Sequence, residues 1–438
     1  MPTSLTSLAD TVNRTDTIRP VGRVSNLVGM VIEVRGLTAP VGSTCLIDCG
    51  RQEVPVLAEV IGFRDDTLLV MPYHHTRGVA TGRRVDLVSR KMTIPVGPEL
   101  LGRVLDGLGR PLDGGPPLTG LARRNLGGSP PPALSRRRST EIMATGIRSI
   151  DSMLTTVRGQ RMGIFSGSGV GKSVLLGMLA RNAQSEVNVL ALIGERGREV
   201  KEFLERDLGS EGLARSVVVV VTSDESAVLR AKGADTAMTI AESFREDNKS
   251  VLFMMDSATR YAMALREIGL AAGEPPTTKG YPPSVFAALP RLCERAGWSD
   301  INSMTAFFSV LIEGDDIQDP VGDAMRSILD GHIMLSRDLA RRHHYPAVDV
   351  LGSVSRLRND VVEPLDITAG AALLGWLKAL EDNRDLINIG AYVPGSDRVL
   401  DQALAKEQEI RDFLTQAVED GSPLETTLTG LRRLTEVA

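Results

Sequence analysis

Cysteine is scarce in this chain: Cys45, Cys49 and Cys293 are the three among 438 residues. An odd count leaves one thiol over under any pairing, and Cys45 and Cys49 stand four apart in an apolar segment without partners for a zinc site. The pattern argues against a disulfide framework and for reduced thiols in a cytosolic protein. Histidine is nearly as sparse, with five residues. His74 and His75, like His343 and His344, are adjacent pairs with no thiols or clustered carboxylates at ligand spacing, which suits solvated or core side chains better than metal ligands. Aromatics make up only 4% of the chain. Long apolar runs are absent too: none approaches the ~18 residues of a membrane-spanning helix, and the N-terminus lacks the basic, apolar, small-residue order of a signal peptide. Nor is there an excess of positive charge. A formal net charge of −5 gives no global argument for a nucleic-acid binder, which is more often basic.

Hydrophobic residues, at 42%, and charged residues, at 24%, are in the proportion of a soluble protein that buries a large core, and the length implies two or three domains. The stretch that organises the chain is Ser166 to Ser173, SGSGVGKS, entered from apolar Met162, Ile164 and Phe165 and followed by Val174-Leu-Leu-Gly-Met-Leu-Ala. A short buried strand, a turn of small residues and then a helix make a phosphate cradle. Inward-facing backbone N–H groups and the helix dipole meet an anion, and Lys172 brings a mobile positive charge to the outer phosphates. Gly167, Gly169 and Gly171 let the backbone approach without a Cβ in the way. Ser168, Val170 and Val174 complete the nucleotide-contacting run, and Ser173 offers its hydroxyl to magnesium. Only the first position departs from the usual pattern, with Ser166 in place of glycine; its hydroxyl is expected to tighten the loop slightly. The chain is expected to bind a nucleoside triphosphate.

Around this turn the chain falls into segments. The first 17 residues are polar, with Leu5, Leu8 and Val12 at helical spacing, which fits a short amphipathic helix for a partner or a frayed terminus. From Arg19 to about Arg90, short apolar runs such as Thr44-Cys-Leu-Ile-Asp and Thr67-Leu-Leu-Val-Met predict a small β-barrel or sandwich. Phe63 and Tyr73 are its only aromatics, so a base-stacking platform for single strands is poorly supported. Gly97 to about Pro132, dense in Gly and Pro, reads as a connection between domains, and the basic runs Arg123-Arg124 and Arg136-Arg-Arg beside it as a solvated face. From Thr140 to about Gly370, apolar strands (Val187 to Ile193, Ser216 to Val221, Val251 to Asp256) alternate with helical patterns. This implies a parallel sheet covered on both faces, with ligands at the carboxyl ends of its strands. Beyond Gly370 the pattern turns helical, from Ala371 to Ala379 and again from Leu400 to Val418. Domains are therefore expected at 1–18 (a partner-binding segment), 19–92 (barrel), 93–370 (nucleotide-binding core) and 371–438 (helical).

Several residues fall where they can act on a nucleotide. Asp256 closes an apolar strand, a position from which a carboxylate holds a magnesium-bound water beside the phosphates. Glu195, in Ile193-Gly-Glu-Arg-Gly-Arg-Glu, closes another and can polarise the attacking water; a helix N-terminal acid favoured by the dipole is the plainer alternative. Arg196, Arg260 and Arg356 can each spread the charge that develops on a transferring phosphoryl group.

Taken together, SGSGVGKSVLLGMLAR, LIGERGREVKEF, DSATRYAMALREIGLAAGEPPTTKGYPPSVF, IEGDDIQDPVGD, SILDGHIMLSRDLARRHHYPAVDVLGSVSR and DNRDLINIGAYVPGSD closely resemble the type III protein-export ATPases, their flagellar branch in particular. These enzymes are similar to the catalytic and noncatalytic subunits of rotary ATP synthases. The resemblance covers about Val21 to Leu414. It implies an α/β fold: a RecA-like P-loop ATPase core with a parallel sheet, preceded by a small β-barrel and followed by a helical domain. It also implies a cytoplasmic homohexameric ring, peripheral to the inner membrane at the export gate. The implied chemistry is Mg2+-dependent ATP hydrolysis. Lys172 and Ser173 take phosphate and magnesium, Asp256 reaches the metal through water, and Glu195 is the catalytic acid/base. Arg196 and Arg260 lie near the γ phosphate, Tyr345 packs on adenine, and Arg356 is the arginine finger given to the neighbouring subunit's site. The implied partners are further copies of the chain, a stator-like regulatory export protein, a central stalk-like protein, the export gate, and export substrates with their chaperones; no nucleic acid is implied. The segment before the barrel is short for the family, whose flagellar members present an amphipathic helix there to the stator-like partner.

An injectisome enzyme shares this architecture, and the LTAPVGSTCLID and GSDRVLDQAL stretches favour the flagellar branch over it. A noncatalytic ring subunit typically lacks the carboxylate that Glu195 supplies. A rotary synthase catalytic subunit fits the KGYPPSVF and HYPAVDVLGSVSR blocks less well. An RNA translocase of the transcription-terminator type is opposed by the acidic balance and the aromatic-poor barrel.

Overall fold

Strands whose side chains alternate in and out can close on themselves, whereas strands apolar on both faces need cover above and below. The chain contains one set of each. A computed structural model describes residues 20–51, 53–312 and 319–437, whose contacts separate into two units. The 1–18 segment expected to bind a partner lies outside the described residues.

In the first unit, β1 (Val21–Val28), β2 (Val31–Arg35), β3 (Thr44–Ile47), β4 (Val56–Arg64), β5 (Thr67–Pro72) and β6 (Arg84–Ser89) close into an antiparallel barrel of order β1-β2-β5-β4-β3-β6. Inward-facing Val24, Ile32, Val34, Cys45, Ile47, Ala58, Val60, Val70 and Val85 fill it, while β1 turns Leu27 and Val28 outward. Cys45 and Cys49 are buried free thiols. Burial pushes the Cys45 thiol up to about 11, so it serves as a small hydrophobe.

The second unit begins with β7 (Thr93–Val96), β8 (Val104–Leu105) and β9 (Ala122–Asn125). The Gly- and Pro-rich stretch is thus more than a connection. β7 and β9 pair with each other, and β8 becomes an edge of the large sheet by pairing with β12 (Ser216–Thr222). Two residues suffice because Asp113 fixes them: its carboxylate accepts from the Val104 N–H at 3.0 Å and pairs with Arg103 at 2.7 Å. Arg103 in turn holds that carboxyl well below the usual carboxylate range.

Between β9 and the chain end run β10 (Arg161–Ser166), β11 (Val187–Glu195), β12, β13 (Val251–Asp256), β14 (Gly297–Trp298), β15 (Ser303–Leu311), β16 (Gly331–Leu335) and β17 (Val348–Ser355). The sheet order is β17-β16-β10-β15-β13-β11-β12-β8, with β14 beside β15. Neighbours from β16 to β8 are parallel and β17 is antiparallel. β11, β12, β13 and β15 are buried at nearly every position, as continuous apolar runs require, and each such valine contributes ~1.5–3 kcal/mol by leaving water. Helix Ala227–Glu246 packs on β11 and β12. It starts at Ser226, whose hydroxyl accepts from the Leu229 N–H.

C-terminal helices pack against this core. Pro364–Asp382, which begins before the expected Ala371, is tied to Leu424–Thr435 by Asp366, whose carboxylate takes both Nε and Nη2 of Arg432 at 2.6 and 2.7 Å. The single helix expected from Leu400 to Val418 is two, Arg398–Ala405 and Glu407–Leu414. Lys406 breaks it. Its ammonium turns inward over the Trp376 ring and donates to the Leu434 carbonyl at 2.7 Å, a tertiary contact that overrides helical propensity.

One buried charge cluster joins the sheet-covering helix to the chain before β14. Arg295 donates to both oxygens of Glu242, at 2.8 and 3.0 Å, and to Asp235 at 2.8 Å, with the Arg295 and Glu242 side chains 4% and 2% exposed. Removing one member strands a buried charge. Arg295→Met is expected to lower stability by ~3–5 kcal/mol, and adding Glu242→Leu to recover most of the loss. Urea denaturation midpoints of the two variants check this; an Arg295→Met protein as stable as the parent would show the cluster to be idle.

Candidate active site

The parallel strands run toward one end of the sheet, and the phosphate turn lies there. β10 ends in Ser166, and Gly171, at φ 90°, swings the chain into the helix Lys172–Asn182. β15 separates β10 from β13, so Asp256 at the end of β13 sits one strand away from the turn. Lys172 spans that gap. Its Nζ pairs with the Asp256 carboxylate and lies 3.7 Å from Glu195 Oε1. From the intervening strand, the Ser309 hydroxyl donates to Asp256 Oδ1 at 2.7 Å.

Glu195 reaches this cluster through a defect in its strand. β11 slips register against β12 between Ile193 and Glu195, and Gly194 in the bulge has φ 75°. A Cβ on Gly194 would stand 2.9 Å from the Arg260 Cβ. Glycine therefore serves twice, allowing the bulge that re-aims Glu195 and letting Arg260 close in. Burial, and after it the charge of Asp256, push the Glu195 carboxyl up to about 7, against the pull of Lys172. Its Oε1 makes no hydrogen bond among the described residues. Burial also draws the Lys172 ammonium down, but the two carboxylates outweigh it and hold that group above its ordinary value. A carboxyl that titrates near neutrality beside a fixed cation is suited to taking a proton.

A cavity of about 830 Å³ opens over the cluster, lined by Gly167, Ser168, Gly169, Gly171, Lys172, Ser173, Val174, Glu195, Arg196 and Arg260 among others. Val170 is buried beneath the loop. Tyr345, 42% exposed, has ring carbons 3.7 Å from where a Gly171 Cβ would be, so its ring stands beside the last turn of the loop. Arg196 is mostly exposed and paired with Glu199 at 3.0 Å, whereas the Arg260 Nε is buried without a partner among the described residues. Arg356 lies elsewhere. It follows Ser355, which pairs with Gly331 at the start of β16 and thus at the opposite end of the sheet from Ser166, and its Nη2 donates to the Arg326 carbonyl at 3.2 Å. The Ser166 hydroxyl, expected to tighten the loop, is buried and unpartnered among the described residues; the residue acts through its carbonyl, which accepts from the Ile312 N–H. Arg124, Arg136 and Arg138, from the two basic runs, pair with Glu246, Glu294 and Asp360. Gly194, Ser309 and Arg337, which also lines the cavity, were not singled out by sequence; of these only the Gly-Glu-Arg-Gly spacing carried a signal.

The residues fit a magnesium ion borne by phosphates. No group of three or more His, Cys, Asp or Glu among the described residues forms a protein cage for a metal. Both bonds to Asp256 fall on Oδ1, which leaves Oδ2 for a metal-bound water, and Ser173 opens on the cavity. A hydroxyl and one carboxylate through water suit an ion that keeps most of its own shell.

Known proteins are similar to this chain over nearly its whole length. Residues 146–355 match the nucleotide-binding domain of the ATP synthase alpha/beta family, residues 24–87 its beta-barrel domain, and residues 362–433 the T3SS EscN ATPase C-terminal domain. The chain is 47% identical over 430 residues to a flagellum-specific ATP synthase of Bacillus subtilis, covering 98% of each chain. It is 47% identical over 421 residues to a type 3 secretion system ATPase of Xanthomonas euvesicatoria, covering 96% of this chain and 95% of that one. Among solved structures, the assembled ATPase EscN in complex with its central stalk EscO, from enteropathogenic E. coli, superposes with a TM-score of 0.87 at 42% identity, covering 94% of this chain and all of that one.

Because a base must be unprotonated to act, kcat/KM for ATP is expected to rise with pH and level off above about 7, the range in which the free-enzyme Glu195 titrates. Glu195→Gln should abolish that limb and lower turnover by ~10²–10⁴. A pH–rate profile unchanged by Glu195→Gln would remove Glu195 from the chemistry.

Proposed function

The chain belongs to the type III export ATPases of the ATP synthase alpha/beta family and hydrolyses ATP, and from that premise we propose that it is the ATP-driven motor of a flagellar export apparatus, assembled as a homohexamer. The observation that carries the mechanism is the Lys172, Asp256 and Glu195 cluster at the floor of the cavity. Lys172 leaves Asp256 for the β and γ phosphates as ATP enters, while the backbone N–H groups of Gly169 to Ser173 grip the triphosphate. Ser173, and Asp256 through water, would hold magnesium, which when bound would supply charge neutralisation on the phosphates. Glu195 takes a proton from water as its oxygen bonds to the γ phosphorus, and the electron pair of the breaking P–O bond leaves on the ADP β-phosphate oxygen. Arg260 offers its unpartnered guanidinium edge to the charge that spreads over the γ oxygens, with Arg196 at the cavity rim. Tyr345 offers its ring to adenine.

Arg356 cannot serve its own loop. β10 has six residues, about 20 Å of strand at ~3.3 Å each, and Arg356 stands off its far end. This supports the reading that Arg356 completes the site of a neighbouring copy, as in a ring. Release of that contact after hydrolysis is then the event that a central stalk, the export gate and export cargo with its chaperones respond to, the whole standing at the cytoplasmic face of the inner membrane. No helix among the described residues is long and apolar enough to cross a membrane. The stator-like partner has its expected contact in the 1–18 segment.

Relatives of both names make an injectisome the second reading. Deleting the gene separates them: loss of hook and filament export with needle secretion intact is expected, and the reverse would move the assignment. Within the ring, Lys172→Ala and Arg356→Ala should each reduce turnover by about 10³ or more, Arg356→Ala with ATP binding retained. Mixing the two inactive variants should restore part of the activity, since some interfaces then join an intact loop to an intact finger. Co-assembled mixtures that stay inactive would rule out a shared site.

A further inference from the structure

The cations around the cavity are mostly neutralised by the chain itself. Lys172 pairs with Asp256 and Glu195, Arg196 with Glu199 and Arg206 with Asp207, and Arg266 lies over the Tyr281 ring at 5.2 Å. Arg337 has no such partner among the described residues. It opens the short helix Arg337–Arg341 just after β16, the strand that flanks β10 on the side away from β15. Ser336 accepts from the Leu339 N–H and so fixes the backbone from which Arg337 departs. The guanidinium then lies against the first turn of the phosphate loop. A Cβ on Gly167 would meet its Nη2 and Nε at 2.6 and 2.8 Å and its Cζ at 3.0 Å. Gly167 does not have the positive φ of Gly169 and Gly171, and the space a side chain would take there holds the Arg337 guanidinium.

Charge counting gives the contact its purpose. With Glu195 ionised, Lys172, Asp256 and Glu195 together carry a net negative charge at the point where a triphosphate must enter, a repulsion that magnesium and Lys172 have to overcome. An unpaired cation on the other flank of the loop offsets it. We propose that Arg337 is a nucleotide-binding residue of this site, giving charge-assisted hydrogen bonds to the outer phosphates from the β16 side while Lys172 reaches them from the β13 side. The assignment rests on the ATPase reading above.

Full-length Arg337→Ala, Arg337→Gln and Arg337→Lys proteins, titrated with a fluorescent ATP analogue and magnesium over a salt series, test it. Arg337→Ala and Arg337→Gln should bind about tenfold to a hundredfold more weakly, with a shallower dependence on salt than the parent and an unchanged melting midpoint. Arg337→Lys should recover part of the affinity, and millimolar guanidinium ion should restore binding to Arg337→Ala but not alter the parent. A merely structural arginine would move the melting midpoint and show no such rescue. Should Arg337→Ala fail to fold, the longer polar chain of Arg337→Gln carries the measurement. A parent that binds ATP while both neutral variants match its affinity and salt slope overturns the assignment alone; a parent that binds no nucleotide overturns the ATPase reading and the assignment with it.

Discussion

The ion pair between Lys172 and Asp256 is the interaction on which the rest of the site depends. It exists because of the order of the strands. With β15 interposed between β10 and β13, the gap between the phosphate turn and Asp256 is one strand wide, and a lysine side chain spans it. A neighbouring placement would crowd the loop against the carboxylate, and a wider one would leave Asp256 buried without its cation, a state whose desolvation penalty is several kcal/mol. Ser309, on the interposed strand, adds a hydrogen bond to the same carboxylate, so three consecutive strands of the sheet meet at one side chain.

That pair also sets the electrostatic state of everything nearby. Lys172 spends its charge on Asp256, which leaves Glu195 under-compensated in a buried setting, and burial together with Asp256 lifts its carboxyl toward neutrality. In the proposed mechanism a triphosphate competes with Asp256 for the same ammonium. A triphosphate that won the lysine would, under that mechanism, leave the carboxylate to face magnesium, so one exchange of partners would prepare both. In the free protein Lys172 and Asp256 thus satisfy one another, which avoids leaving that carboxylate buried without a cation and makes the cavity's net charge a matter of what stands around the pair.

How much of this was legible in the chain follows from the range of each determinant. SGSGVGKS is local: strand, small-residue turn and helix sit within one stretch, and the spacing alone defines the cradle. Asp256 and Glu195 were visible because an apolar run that stops at an acid is a strand with a functional end. Apolar strands alternating with helical patterns marked the covered parallel sheet, and the helical pattern beyond Gly370 the C-terminal region, while the resemblance over Val21 to Leu414 supplied the RecA-like core. What stayed hidden depends on contacts between distant residues. Gly194 stands in the Gly-Glu-Arg-Gly block, but its double role shows only with the register slip and the Arg260 side chain against it. The stretch from Gly97 to Pro132 has the composition of a linker, and its β8 edge strand exists through pairing with β12 and the Asp113 bonds. Lys406 interrupts a good helical pattern because Trp376 and the Leu434 carbonyl draw it inward. Ser166 invited a role for its hydroxyl, and the fold gave the role to its carbonyl instead.

The placement of Arg356 carries a consequence for assembly. If the finger stands off one end of the sheet and the phosphate loop off the other, the two surfaces that complete one site are different patches of the same chain. Two-fold pairing joins like patches to like, so an isologous dimer would bring finger to loop only if the two surfaces lay together, and they are separated by the length of β10. A head-to-tail contact meets the requirement, and repeated around a closing rotation it produces a ring in which every site has the same handed neighbour. In the proposed ring direction is thereby built in: each protomer would give its arginine one way and receive one from the other, so that a nucleotide event at one seam would be felt by a specific neighbour. On the proposed assembly, the sheet that positions Lys172, Asp256 and Glu195 within one protomer also sets, by its length, the need for a neighbour's arginine.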